Sequence, residues 1–166
     1  DEASAEPGAP ILLILHGLES SSRSSQVVAL LQAAHRYGWL GVGVNFRSCG
    51  GSLNRLRRSY HAGDTADLAW VIQRLIIEHP GSSVFCAGFS LGGNVLLKYL
   101  SEQADQAPEP LRAAAAISTP FDLAVSVRAI EQGFSRVYMR RLVRGLMRKT
   151  LAKLARFPDL VDRRAL

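Results

Sequence analysis

Gly88-Phe89-Ser90-Leu91-Gly92-Gly93 is the stretch that decides the fold, and its neighbours decide how it is read. Before it, Ser83–Ala87 (SVFCA) is a short apolar run of the kind that forms a buried strand; after it, Asn94–Glu102 reads as a helix. A G-x-S-x-G pattern between a strand and a helix sets the serine at the tip of a tight, strained turn. Gly88 and Gly92 suit that turn because a Cβ at either position would collide across the bend, and Gly93 adds a third small residue. The turn predicts a Ser90 hydroxyl exposed above a sheet. The positive end of the following helix and the Leu91 N–H would point at charge developing beside it. Ser90 is therefore expected to act as a nucleophile of the hydrolase type.

The segments on either side repeat the strand and helix alternation. Ile11–Leu15 (ILLIL) is too short for an independent helix and reads as a strand buried on both faces, closed by His16-Gly17. Gln26–Tyr37 reads as a helix ended by Gly38, and Trp39–Phe46 as a second strand. Thr65–His79 is a helix stopped by Pro80-Gly81, with Asp64 placed to cap it and Asp67 to favour its dipole. Ala113–Ile117 (AAAAI) suits a fourth strand. Short apolar runs alternating with amphipathic helices predict βαβ units, right-handed crossovers and a parallel sheet covered on both faces, so the class is α/β. The loop after the first strand then supplies a backbone N–H, at Leu18, as the second donor of an oxyanion hole. His16 is expected to brace that loop through backbone hydrogen bonds rather than to take part in catalysis.

After Pro120 the chain becomes helical and basic. From residue 124 onward eleven basic residues face three acidic ones, a net +8, so the first 123 residues carry −2 of the total +6. Met139, Leu142, Val143, Leu146, Met147, Leu151 and Leu154 recur at helical spacing, predicting an amphipathic helix that packs on a core and turns a solvated basic face outward. A sharper reading is peripheral contact with an anionic membrane surface. Nucleic acid is not an expected partner, since no recognised nucleic-acid motif accompanies the charge.

Composition bounds the rest. A chain of 166 residues, 48% hydrophobic and 20% charged, suits one globular domain and excludes disordered and fibrous classes. It holds no run of the roughly 18–20 apolar residues that spans a bilayer. Residues 1–10 do not resemble a secretory leader, the absence of an initiator Met suggests an excerpt, and Cys49 and Cys86 are too few for a disulfide framework. A reducing, cytoplasmic setting is the expectation. No metal or organic cofactor is expected, because the histidines lack ligand spacing and no phosphate-cradling P-loop pattern occurs.

Five blocks together carry a resemblance. They are His16-Gly17-Leu18-Glu19, Asn45–Gly51 (NFRSCGG), Asn54-Arg55-Leu56, Tyr60–Asp67 (YHAGDTAD) and Gly88–Asn94 (GFSLGGN). In order and spacing the chain resembles the YheT-like α/β-hydrolases, and the resemblance continues through Glu131–Tyr138 to cover nearly all of residues 11–157. It implies an α/β-hydrolase fold, a mostly parallel sheet flanked by helices, incomplete in this chain. Residues 1–10 would be a polar segment, 11–120 the partial core and 121–166 the basic start of a helical lid. The implied activity is that of a serine esterase acting on short-chain or lipid-derived carboxylic esters, with a small-molecule ester as partner and Ser90 as nucleophile.

One component of the chemistry is missing. Ser90 needs a base, and in this fold the chain order is Ser, then Asp or Glu, then His. His16, His35, His61 and His79 all precede Ser90, and none of the later acidic residues ends a recognisable strand. Two readings follow: a fragment whose acid and base lie outside these residues and which is inactive alone, or a non-catalytic module that binds an acyl ligand or partner. A fragment should leave unpaired strand edges and self-associate. Cys49 with His61 as an alternative nucleophile and base is the weaker reading, since the glycines around Cys49 suit a tight loop holding a small buried thiol.

Overall fold

Ile11–Leu15 forms the central strand β1 of a four-stranded parallel sheet in the computed structural model, which describes residues 6–133 and 135–160. The chain runs β1, α1 (Ser25–Arg36), β2 (Leu40–Val44), α2 (Ala66–Glu78), β3 (Val84–Phe89), α3 (Leu91–Gln103), β4 (Leu111–Ile117), α4 (Leu123–Ile130) and α5 (Ser135–Arg156). The strand order is β2-β1-β3-β4. Leu13 lies opposite Val42 on one side and Cys86 on the other, so β1 is paired along both edges. A parallel sheet with helical crossovers is the architecture the alternating apolar runs predict.

The two faces of the sheet follow from the strand period of two. Ile11, Leu13, Leu15, Val84 and Cys86 join Leu68, Ile72 and Leu75 of α2 and Val95, Leu96 and Tyr99 of α3 in one apolar core. Burial pushes the Cys86 thiol up to about 12, as befits a core residue without chemistry. On the opposite face Val27 and Leu31 of α1 lie over Gly43 and Gly41 of β2. Ile14, between these layers, is fully buried. β1 therefore has an apolar layer on both sides, which is why its sequence shows no alternation.

β4 is different. It pairs with β3 through a register shift between Val84 and Phe85, and its Ala113–Ala116 stretch is exposed. Asp122 caps the next helix, α4, by accepting a hydrogen bond from the Val125 N–H at 2.9 Å. The predicted cap of α2 is not made this way: its N-cap is Thr65, without a side-chain cap, and Asp64 and Asp67 instead pair with arginines. Arg47 meets Asp67 at 2.6 Å, and Arg58 meets Asp67 at 2.7 Å and Asp64 at 3.5 Å.

Helix α5 departs from its predicted packing. Of the apolar stripe only Leu142 and Leu154 are buried, while Val143, Leu146, Met147 and Leu151 are exposed. Two of its basic residues point inward instead. Lys153 is 3% exposed and donates to Arg57 O at 2.9 Å, Arg58 O at 2.6 Å and Ser59 Oγ at 3.1 Å, and burial lowers its pKa. The physical reason is the surface under the helix: loops offering carbonyl and carboxylate oxygens attract ammonium groups more than alkyl groups. Among the described residues no helix is long and apolar enough to cross a membrane.

Candidate active site

The chain leaves β1 towards β2 on one side and leaves β3 towards β4 on the other, so a crevice opens where the two C-terminal ends adjoin. In open α/β sheets this reversal is where ligands bind. The loop following β1 carries His16, Gly17 and Leu18; the turn following β3 carries Ser90. They meet directly, for a methyl built on Gly17 would lie 3.4 Å from Ser90 Cβ.

Ser90 holds φ 50° and ψ −116°, a backbone state that costs a non-glycine residue roughly 1–3 kcal/mol. Three bonds impose it. Its N–H donates to Ile117 O of β4 at 2.9 Å, and its carbonyl accepts from the Gly93 N–H at 2.9 Å and the Asn94 N–H at 3.2 Å. The bend is tight enough that a Cβ on Gly88 would sit 2.5 Å from Gly92 O, and one on Gly92 would sit 2.6 Å from both Leu15 O and His16 O. A Cβ on Gly93 would collide with Thr119 Oγ1. Ser90 thus stands half-buried at the head of the 13-residue α3, with Leu91 as the first helical residue. Neither the Leu18 nor the Leu91 N–H bonds to another described residue.

His16 is 1% exposed, and both of its ring nitrogens are engaged. Nδ1 donates to Gly17 O at 2.7 Å, and Nε2 accepts from the Phe46 N–H at 3.2 Å, with the ring edge-on to Phe46. This arrangement fixes the neutral tautomer with its proton on Nδ1. Burial keeps its pKa below the ordinary histidine value. A ring committed at both nitrogens to backbone groups sets the loop's course and has no position left for exchanging a proton with Ser90.

The sequence offers little hint of a second cluster beside this loop. Glu19, at φ 54°, accepts at Oε1 from the Tyr60 hydroxyl at 2.8 Å and from Lys149 Nζ at 2.9 Å, while its own N–H donates to the Tyr60 oxygen at 2.9 Å. Lys149 also lies 3.3 Å from Cys49 Sγ. Tyr60 stacks on Phe46, the ring that touches His16, and burial raises its pKa. Cys49 is buried; the His61 suggested as its base is exposed, with Nδ1 accepting from the Gly63 N–H at 3.1 Å. The partners lie 41, 130 and 100 residues apart in the chain. The one legible trace is that Lys149 and Lys153 follow Leu142 by seven and eleven residues, two and three helical turns, on its own face. Among the described residues no cluster of His, Cys, Asp and Glu could hold a metal ion.

Comparison with known proteins agrees with this fold. The profile of the alpha/beta hydrolase fold matches residues 10–164. YheT of Escherichia coli (strain K12), provisionally assigned as an esterase, is 40% identical over 149 residues, 90% of this chain and 43% of that protein. The monoacylglycerol lipase of Saccharomyces cerevisiae is 32% identical over 160 residues, 92% of this chain and 35% of that protein. The chain therefore spans less than half the length of these curated relatives. The Pyrococcus furiosus esterase Pf2001 shares its fold with a TM-score of 0.63 at 22% identity, over 78% of this chain and 49% of that one. With a parallel sheet reversing at β1 and β3, a strained serine turn at that reversal and a profile match along nearly its whole length, the chain belongs to the alpha/beta hydrolase fold family.

Proposed function

We propose that this chain carries the nucleophile and oxyanion hole of a serine hydrolase that cleaves short-chain or lipid-derived carboxylic esters. The observation that carries the reading is the strained backbone of Ser90 at the head of α3, beside the Gly17-Leu18 loop. Ser90 Oγ attacks the ester carbonyl carbon while a base accepts its proton. The carbonyl oxygen, now negative, is held by the Leu18 and Leu91 N–H groups and by the positive end of α3. The C–O bond to the alcohol then breaks, the alcohol leaves with a proton, and the acyl group stays on Ser90 until water releases it.

His16 acts in this scheme by holding the loop that presents Leu18, and Gly17, Gly88, Gly92 and Gly93 act by leaving room for the turn. The base and its acid partner come from residues beyond these 166, because no histidine follows Ser90 in the sequence and His16 is committed to backbone partners. The names of the relatives support an ester or acylglycerol as substrate.

The test is labelling with a fluorophosphonate probe, read by peptide mass spectrometry, on this chain and on the longer protein that supplies a later Asp and His. The longer protein should label at Ser90, and Ser90→Ala should abolish that label. The isolated chain, folded by circular dichroism, should label at least a hundredfold more slowly. A folded longer protein that never labels would instead favour the non-catalytic module that only binds an acyl ligand.

A further inference from the structure

Helix α5 crosses the loop after β1 at Gly145, where a Cβ would lie 2.5 Å from Glu19 Oε2. Beside this crossing lies a half-open cavity of about 890 Å³, within the size range of small-molecule sites. Ser20, Ser25 and Gln26 form one wall, together with Leu18; Arg141, Arg144 and Arg148 form the other. The three arginines recur at three- and four-residue spacing and so make one stripe along α5.

Among the described residues none of the three arginines is paired with a carboxylate. The carboxylate in the wall, Glu19, is already bonded to Lys149 and Tyr60. Ser25 and Gln26 are also the first residues of the 12-residue helix α1, whose first turn holds no acidic side chain. The Ser24 hydroxyl before them is buried, bonds to none of the described residues and caps no N–H. Three guanidinium groups facing a helix N-terminus suit an anion with several oxygens, and guanidinium binds phosphate through paired N–H donors. One carboxylate would use only part of this set.

We infer that this cavity is the subsite for a phosphate group carried by the ester substrate. The inference rests on the reading of Ser90 and Leu18 above, because Leu18 belongs both to that oxyanion hole and to the cavity wall. A phosphate seated on the arginines would hold the substrate beside the reacting carbonyl and distinguish phosphorylated esters from neutral ones. The same chemistry could come from free phosphate, and the experiment separates the two.

The test is calorimetric titration of the chain with monomeric dihexanoyl phosphatidic acid, with neutral dihexanoylglycerol and with inorganic phosphate. The phosphatidate should bind at one site at least tenfold more tightly than either of the others. The double variant Arg144→Gln, Arg148→Gln should weaken it at least tenfold. Arg156→Gln removes a charge from α5 outside the cavity wall and should change the affinity less than twofold. All these arginines are exposed, and circular dichroism checks that each variant folds. The subsite is refuted if the neutral diester binds equally well, or if the double variant and Arg156→Gln act alike, which would indicate a diffuse charge effect. Inorganic phosphate binding as tightly as the phosphatidate would also overturn it, marking a site for the free anion. Binding is read without turnover, so a Ser90 that fails to label and an arginine subsite that fails to bind are separate results.

Discussion

β1 and α5 flank the same loop and are held in place by opposite means. β1 is fixed by apolar burial on both faces: Ile11, Leu13, Ile14 and Leu15 are at most 1% exposed. α5 buries only Leu142 and Leu154 among its apolar residues and is otherwise held by Lys149 and Lys153, whose ammonium groups reach oxygens on loops far away in sequence. Apolar burial is non-directional and adds up over a large area, so it tolerates small shifts. Hydrogen-bonded anchors are directional and each contributes only about 1–3 kcal/mol, so a helix held by them can loosen while the sheet stays intact.

The sharpest way to break the contrast is at the point where the sheet and the serine turn touch. Gly92→Val puts a branched side chain against Leu15 O and His16 O, backbone atoms with nowhere to move. It should destabilise the fold by about 4 kcal/mol or more, abolishing a cooperative urea transition. Lys153→Met probes the other region. It leaves Arg57 O and Arg58 O without their donor and should cost about 1–3 kcal/mol. Amide hydrogen exchange should then rise along α5 while β1 and β3 stay protected; equal loss of protection in both regions would mean that the helix and sheet form one unit.

The smallest effect is in pH. Because burial lowers the pKa of folded His16, the unfolded chain binds its proton more readily than the folded one. Stability from this group is therefore complete above the unfolded value near 6.5 and falls as pH drops from there towards the lower folded value. His16→Gln should remove that part of the slope in denaturant titrations below about pH 6.5, whatever its effect on stability at neutral pH.

This contrast also explains what could be read in advance. The strands were legible because Ile11–Leu15 and Val84–Phe89 are apolar runs closed by glycine or polar residues, and burial leaves that mark on composition. α3 begins at Leu91, earlier than its sequence suggests, because Gly92 and Gly93 are poor helix formers kept for clearance. The serine turn was legible because its steric demand is local, falling on residues within a few positions of Ser90. Glu19, Tyr60, Lys149 and Lys153 were not, since each is an ordinary polar residue until the fold brings its distant partner alongside. The lysines of α5 looked like part of a solvated face for the same reason: charge is visible in a sequence, but the oxygen that receives it is not.

The bonds that shape the turn at Ser90 all come from its own main chain, through the N–H to Ile117 and the carbonyl to Gly93 and Asn94. The hydroxyl contributes nothing to the bend, and glycine would adopt it at a lower conformational penalty. The position is thus a socket whose shape is set by the scaffold and whose contents are not, and under the function proposed above a serine there is kept for its chemistry. On that proposal the same main-chain bonds would present a cysteine or an aspartate at that point, which makes residue 90 the place to exchange one reactive group for another without redesigning the fold.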